Sequence, residues 1–171
     1  MRDRQSNSGF SLVELIVLMA IMGILLSIGT INFNNWQVKS KIERQAREFL
    51  ADLNSARSES IFRKQRHSIV MNSDGTGYAF KRYSSENENR INGGTTLFTK
   101  TNSYLYAKEN GTQLNTITIF QFDILGFAAT ASDLNTIRIN PVDSGAMFDC
   151  MVISYSRTNI GKMESGSCVQ K

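Results

Sequence analysis

Three groups of residues in this sequence have types and spacings that could do chemistry. The first is the junction Gly9–Phe10 with a carboxylate, Glu14, a few positions further on. From Phe10 to Ile31 the only charged residue is Glu14. A carboxylate within hydrocarbon costs about 2.5–3.5 kcal/mol on insertion scales, so its presence asks for a partner. A cut after Gly9 would supply one, because it turns the amide nitrogen of Phe10 into a cationic terminus. The second group is a pair of cysteines, Cys150 and Cys168. In an exported domain an even pair reads as a disulfide, and in a reducing cytosol as two buried thiols. The third group is cationic: Arg57, Arg63, Lys64 and Arg66 together, and Arg157, Lys162 and Lys171 near the end, with Arg138 a further candidate.

Catalysis finds no comparable constellation. The one histidine, His67, falls at a helix-to-strand junction, where a lone imidazole is most often structural or solvated. No nucleophile elbow, His-x-x-x-His pair, phosphate loop or metal-spaced cysteine set occurs. Two cysteines without nearby histidines are too few for zinc. Asn72, Asp74, Asp143 and Asp149 offer oxygens without calcium-loop spacing, and turn chemistry explains the first two more simply. The reading is therefore of a protein that is not an enzyme and uses no cofactor or metal. A formal charge of +4 does not by itself indicate a nucleic-acid partner.

The elements that must position these groups follow from periodicity. At about 1.5 Å per residue, the apolar run is long enough for a helix to cross the roughly 30 Å hydrocarbon core. Gly23, Ser27 and Gly29 are small enough for close helix contact in an apolar environment. Beyond it, Val38, Ile42, Ala46, Phe49, Leu50, Leu53, Ala56, Ser60 and Ile61 recur at spacings of three and four, one face of an amphipathic helix. Lys39, Glu43 and Arg47, Arg44 and Glu48, and Glu59 and Arg63 place opposite charges one turn apart. No proline interrupts before Lys64, so one helix is expected from Phe10 to about there. Ser68–Met71 and Tyr78–Tyr83 flank Asp74-Gly75-Thr76-Gly77, a hairpin signal. Ser84–Gly94 reads as a loop, with strands after it near 95–98, 103–106, 116–122, 136–139 and 150–156.

The run Gly9-Phe10-Ser11-Leu12-Val13-Glu14-Leu15 resembles the class III signal of type IV pilins and type II secretion pseudopilins. A plain single-pass anchor needs neither Glu14 nor a glycine at the boundary. A secretory signal has a shorter core and a small-x-small site after it, which Thr30-Ile31-Asn32-Phe33 does not offer. The resemblance implies that a prepilin peptidase cuts after Gly9 and that Phe10 is then N-methylated. It also implies that Glu14 meets the terminal amine of a neighbouring subunit. Many relatives carry a proline where this chain has Ile31. Ile119–Gly126, Thr136–Ile139 and Val152–Lys162 look like the GspH/FimT group of minor pilins. That group implies a helix on antiparallel sheet, ending in a strand, a glycine turn and a short basic tail.

The expected organisation is a leader at 1–9, a transmembrane and filament-core segment at 10–33, an amphipathic helix at 34–66 and a β-rich domain at 67–171. The fold class is α+β and pilin-like. The expected partners are other pilins or pseudopilins, prepilin peptidase, the inner-membrane assembly platform and the membrane itself. The expected place is the inner membrane with the domain in the periplasm, then a pilus or pseudopilus. Counting Arg2 and Arg4 against Lys39, Lys41, Arg44 and Arg47 would put the domain in the cytoplasm. The processing motif and the cysteine pair outweigh that count. The alternative is a minor pilin that binds DNA through Arg157, Lys162 and Lys171, as some of that group do.

Overall fold

A computed structural model describes residues 10–128 and 136–171, with the side chains of 28–32 and 143 outside the description. The leader, with Gly9, lies outside the described residues. The chain divides into two compact units, Met1–Gln37 and Val38–Lys171.

One helix, α1 (Leu12–Arg63), supplies residues to both units. In its first part, from Phe10 to Ser27, every side chain is exposed, Glu14 among them. No helix among the described residues is long and apolar enough to cross a membrane. The span expected over 10–33 includes 28–32, whose side chains lie outside the description. The helix closes at Arg63, short of the expected boundary at 66, because Lys64 turns left-handed with φ 54°.

The second unit is α+β. Its first sheet has strand order β3-β2-β1-β5, formed by β1 (His67–Met71), β2 (Gly77–Arg82), β3 (Thr95–Thr101) and β5 (Thr118–Phe122). A second sheet has order β4-β6-β7-β8-β9, formed by β4 (Tyr106–Lys108), β6 (Thr136–Ile139), β7 (Cys150–Ile153), β8 (Thr158–Glu164) and β9 (Ser167–Gln170). All pairings are antiparallel. The helix stripe Ile42, Ala46, Phe49, Leu53 and Ala56 is fully buried in one core with residues of both sheets. Phe49 makes ring contacts with Tyr78, Tyr106 and Phe120, so it joins the helix to both. Leu50 is half-buried and Ile61 is exposed, which narrows the expected stripe.

The β1–β2 turn forms as its residues dictate. Gly75 takes φ 73° and Asp74 Oδ1 accepts the Thr76 N–H at 3.0 Å. The turn also joins the sheets, since Tyr106 N–H donates to Gly75 O at 3.1 Å.

Several expectations are corrected. The strand expected at 103–106 starts only at Tyr106, because Tyr104 is drawn out of line by Gln45, which bonds both its N–H and its carbonyl. β7 stops at Ile153, where Ser154 N–H closes a turn on Arg157 O at 2.7 Å. Gly161 lies in the middle of β8, and the glycine turn that follows this strand is Ser165–Gly166, with φ 52° and 87°. Nor does the chain end in a basic tail, because Ser167–Gln170 pairs with β8 as β9.

Candidate functional site

Phe10 precedes α1 and is exposed. Ser11 stands just before the first helical residue, and its carbonyl accepts the Leu15 N–H at 3.2 Å. Glu14 therefore occupies the third helical position, in the first turn. Ser-x-x-Glu is the spacing of a capping box, a signal present in the sequence that the membrane argument does not use. The N-terminal end of the macrodipole also favours a carboxylate there. Glu14 thus has a local reason for its place. It is exposed and makes no ion pair among the described residues.

The cysteine pair is a disulfide: Cys150 and Cys168 are joined with their Cα atoms 5.9 Å apart. Cys150 lies on β7 and Cys168 on β9, with β8 between them. The bond therefore passes over a strand. Cys150 pairs with Gly161, and a Cβ on Gly161 would stand 3.1 Å from Cys168 Sγ and closer still to the Val169 carbonyl. The residue under the bridge has to be glycine for reasons of space. Cys168 N–H donates to Glu109 Oε1 at 3.0 Å, which anchors β9 from a loop as well.

Beside the bridge lies Asp149, fully buried. Its Oδ1 accepts the Met163 N–H at 2.7 Å, its own N–H donates to Gly161 O at 3.0 Å, and its carbonyl accepts from Ile139 at 2.7 Å. Asp149 thereby ties β6, β7 and β8 together, a role no spacing in the sequence announces. Burial pushes its carboxyl above the usual range, against the opposing pull of the Met163 N–H and the charges of Lys162 and Arg138.

The three candidate DNA-contacting cations have different surroundings. Arg157 is exposed in the β7–β8 turn, and Lys162 is half-buried on β8 opposite Val169. Lys171 pairs with Glu164 at 2.9 Å. Arg138 donates to Asn140 Oδ1 at 3.1 Å and to Glu109 O at 3.4 Å.

The helix-end cations are also largely engaged. Arg63 pairs with Glu59. Arg57 donates to Ser156 O at 2.9 Å and lies over the Phe122 ring. Arg66 holds the 84–94 loop through Ser85 O at 2.6 Å. His67 is buried, with Nδ1 within 3.0 Å of Gln65 O, and burial pushes its pKa below the ordinary range.

One comparison with known proteins bears on the N-terminal segment. Residues 4–30 match the family model described as the prokaryotic N-terminal methylation motif. The chain is also similar to the type IV major pilin protein PilA of Myxococcus xanthus, with 38% identity over 74 residues. That alignment covers 43% of this chain, which spans about a third (33%) of the relative's length. No solved structure matches the chain. These two likenesses support the pilin superfamily, and the α+β arrangement of helix and antiparallel sheets is consistent with a pilin fold.

Proposed function

We propose that the chain is a structural subunit of a type IV pilus or a type II secretion pseudopilus, most like the minor pilins of the GspH/FimT group. The carrying observation is the position of Glu14, in the first turn of an apolar, exposed helix that follows a Gly–Phe junction within the matched methylation motif. Prepilin peptidase cuts after Gly9 and Phe10 is N-methylated. The cationic terminus then meets Glu14 of a neighbour as the apolar helices pack in the membrane and in the filament. The assembly platform of the inner membrane inserts the subunit, and the Val38–Lys171 unit stands outside the membrane, where the disulfide can form.

Intact mass of the membrane-extracted protein tests the reading. The mature chain should begin at N-methyl-Phe10, and a bulky residue at Gly9 should leave the leader attached. An unprocessed terminus in peptidase-positive cells would refute it. The DNA-uptake alternative draws on Arg157, Lys162 and Lys171, but Lys171 is paired to Glu164 and Lys162 is half-buried, which leaves Arg157 as the member that is exposed and without an ion pair among the described residues.

A further inference from the structure

At the C-terminal end of the first unit two aromatic residues stand on the outside of α1. Phe33 is 55% exposed and Trp36 is 61% exposed, and neither belongs to the core of the second unit. Three residues apart, they share one face of the helix. Their rings stack, with centres 6.0 Å apart and planes at 27°, so the two form a single apolar surface.

Their neighbours are of a different kind. Asn34 and Asn35 are exposed amides, and Asn32 and Gln37 add two more to the sequence around the pair. No residue from 15 to 38 carries a charge, and the apolar run that begins at Phe10 ends at Ile31. The pair therefore stands where the helix passes from apolar residues to uncharged polar ones. Neither water nor hydrocarbon suits that mixture. Water leaves two large rings uncovered, and hydrocarbon leaves the amides and the indole N–H without partners. The border between acyl chains and headgroups satisfies both, which is why tryptophan concentrates there.

The helix length agrees. At about 1.5 Å per residue, Phe33 stands about 32 Å and Trp36 about 36 Å along the axis from Leu12, where α1 begins. A bilayer has a hydrocarbon core of roughly 30 Å and, with its polar borders, measures roughly 40–45 Å in all. With Leu12 at one edge of the core, both rings fall in the opposite border. We propose that Phe33 and Trp36 are the anchor that fixes where α1 leaves the bilayer, with their stacked face at the acyl–headgroup boundary and the amides among the headgroups. This inference rests on the proposed membrane insertion of the first unit and adds the depth at which it stops.

Trp36 is the chain's one tryptophan, so the full-length protein carries its own reporter. Membrane-extracted protein is reconstituted in phosphatidylcholine vesicles whose lipids bear bromine at a chosen depth along the acyl chain. Flotation with the vesicles reads insertion, and quenching of the indole reads depth. Quenching should be strongest with bromine at the headgroup end of the chains and weakest with bromine near the terminal methyl. In the double variant Leu26→Trp, Trp36→Phe the reporter moves about 15 Å along the helix toward the bilayer centre, and that order should reverse. Phe33→Ser removes half of the stacked face and should lower the ratio of shallow to deep quenching at Trp36; an unchanged ratio would overturn the paired anchor. Protein that floats with Trp36 unquenched, or quenched most by the deepest bromine, would overturn the anchor while leaving insertion intact. Equal profiles for the reporters at 26 and 36 would overturn it too, since the helix would then have no fixed depth. Protein that does not float removes the membrane reading itself and the anchor with it.

Discussion

The two parts of α1 make the same backbone and do opposite things with their side chains. Before Gln37, apolar residues surround the helix and the described ones are exposed. After Val38, they narrow to a stripe, and Ile42, Ala46, Phe49, Leu53 and Ala56 are fully buried. The backbone hydrogen bonds are equally satisfied in both. The difference lies in how much of the circumference is apolar, which decides whether one folded chain can cover it. A stripe is covered by two sheets of the same chain. A cylinder requires surroundings on all sides, such as lipid or other helices, and the proposed filament role supplies them.

The contrast predicts where mutations register. Phe49→Ala should have the largest effect on stability, because it removes the ring that touches Tyr78, Tyr106 and Phe120. A loss of about 3–5 kcal/mol is expected, read by denaturant melts of the 38–171 fragment. Cys168→Ser should cost about 3 kcal/mol, the loop-closure value for cysteines 18 residues apart. Hydrogen exchange should then rise in β9 before it rises in β1 or β2, and uniform protection would show that the bridge does not hold that edge.

A smaller, pH-dependent effect belongs to Asp149. Its folded-state pKa is raised, so the folded protein binds its proton more tightly than the unfolded chain does. Its contribution is fully present below the unfolded carboxylate pKa and is lost as pH rises through the folded value. Asp149→Asn keeps an acceptor for the Met163 N–H and removes the charge. Its Tm relative to the native protein should therefore be higher at pH 8 than at pH 4. An equal difference at both values would remove the electrostatic explanation.

The smallest effect on the fold should come from Glu14, which is exposed in the first turn of α1. Glu14→Gln and Glu14→Leu should leave the melting of the second unit unchanged. Entry into filaments separates the two explanations of its place. Gln preserves the Ser11–Glu14 capping spacing, whereas Leu does not. If capping is the whole role, the Gln variant assembles normally, as judged by its abundance in sheared filaments. If a neighbour's cationic terminus needs the charge, both variants are excluded.

What can be read in advance is local. The apolar run, the three-and-four spacing and the Asp74-Gly75 turn each concern neighbours along the chain, and α1, the β1–β2 hairpin and β6 at Thr136–Ile139 follow from them. The two-sheet division does not follow, because strand pairing joins segments far apart whose individual patterns are short. β9 is the clearest case. Ser167–Gln170 is too short to carry a pattern of its own, and the β8 ladder and the Cys150 bridge hold it as a strand. Nothing along the chain marks Gly161 as the residue under the bridge, where the crossing disulfide and the Val169 carbonyl exclude a side chain. The sequence alone determined which half of the helix could be covered by its own chain, since periodicity is a property of consecutive residues. The tertiary structure decided what lies beneath the disulfide, which carboxylate is buried and which aromatic residues remain outside, because each depends on contacts between distant segments.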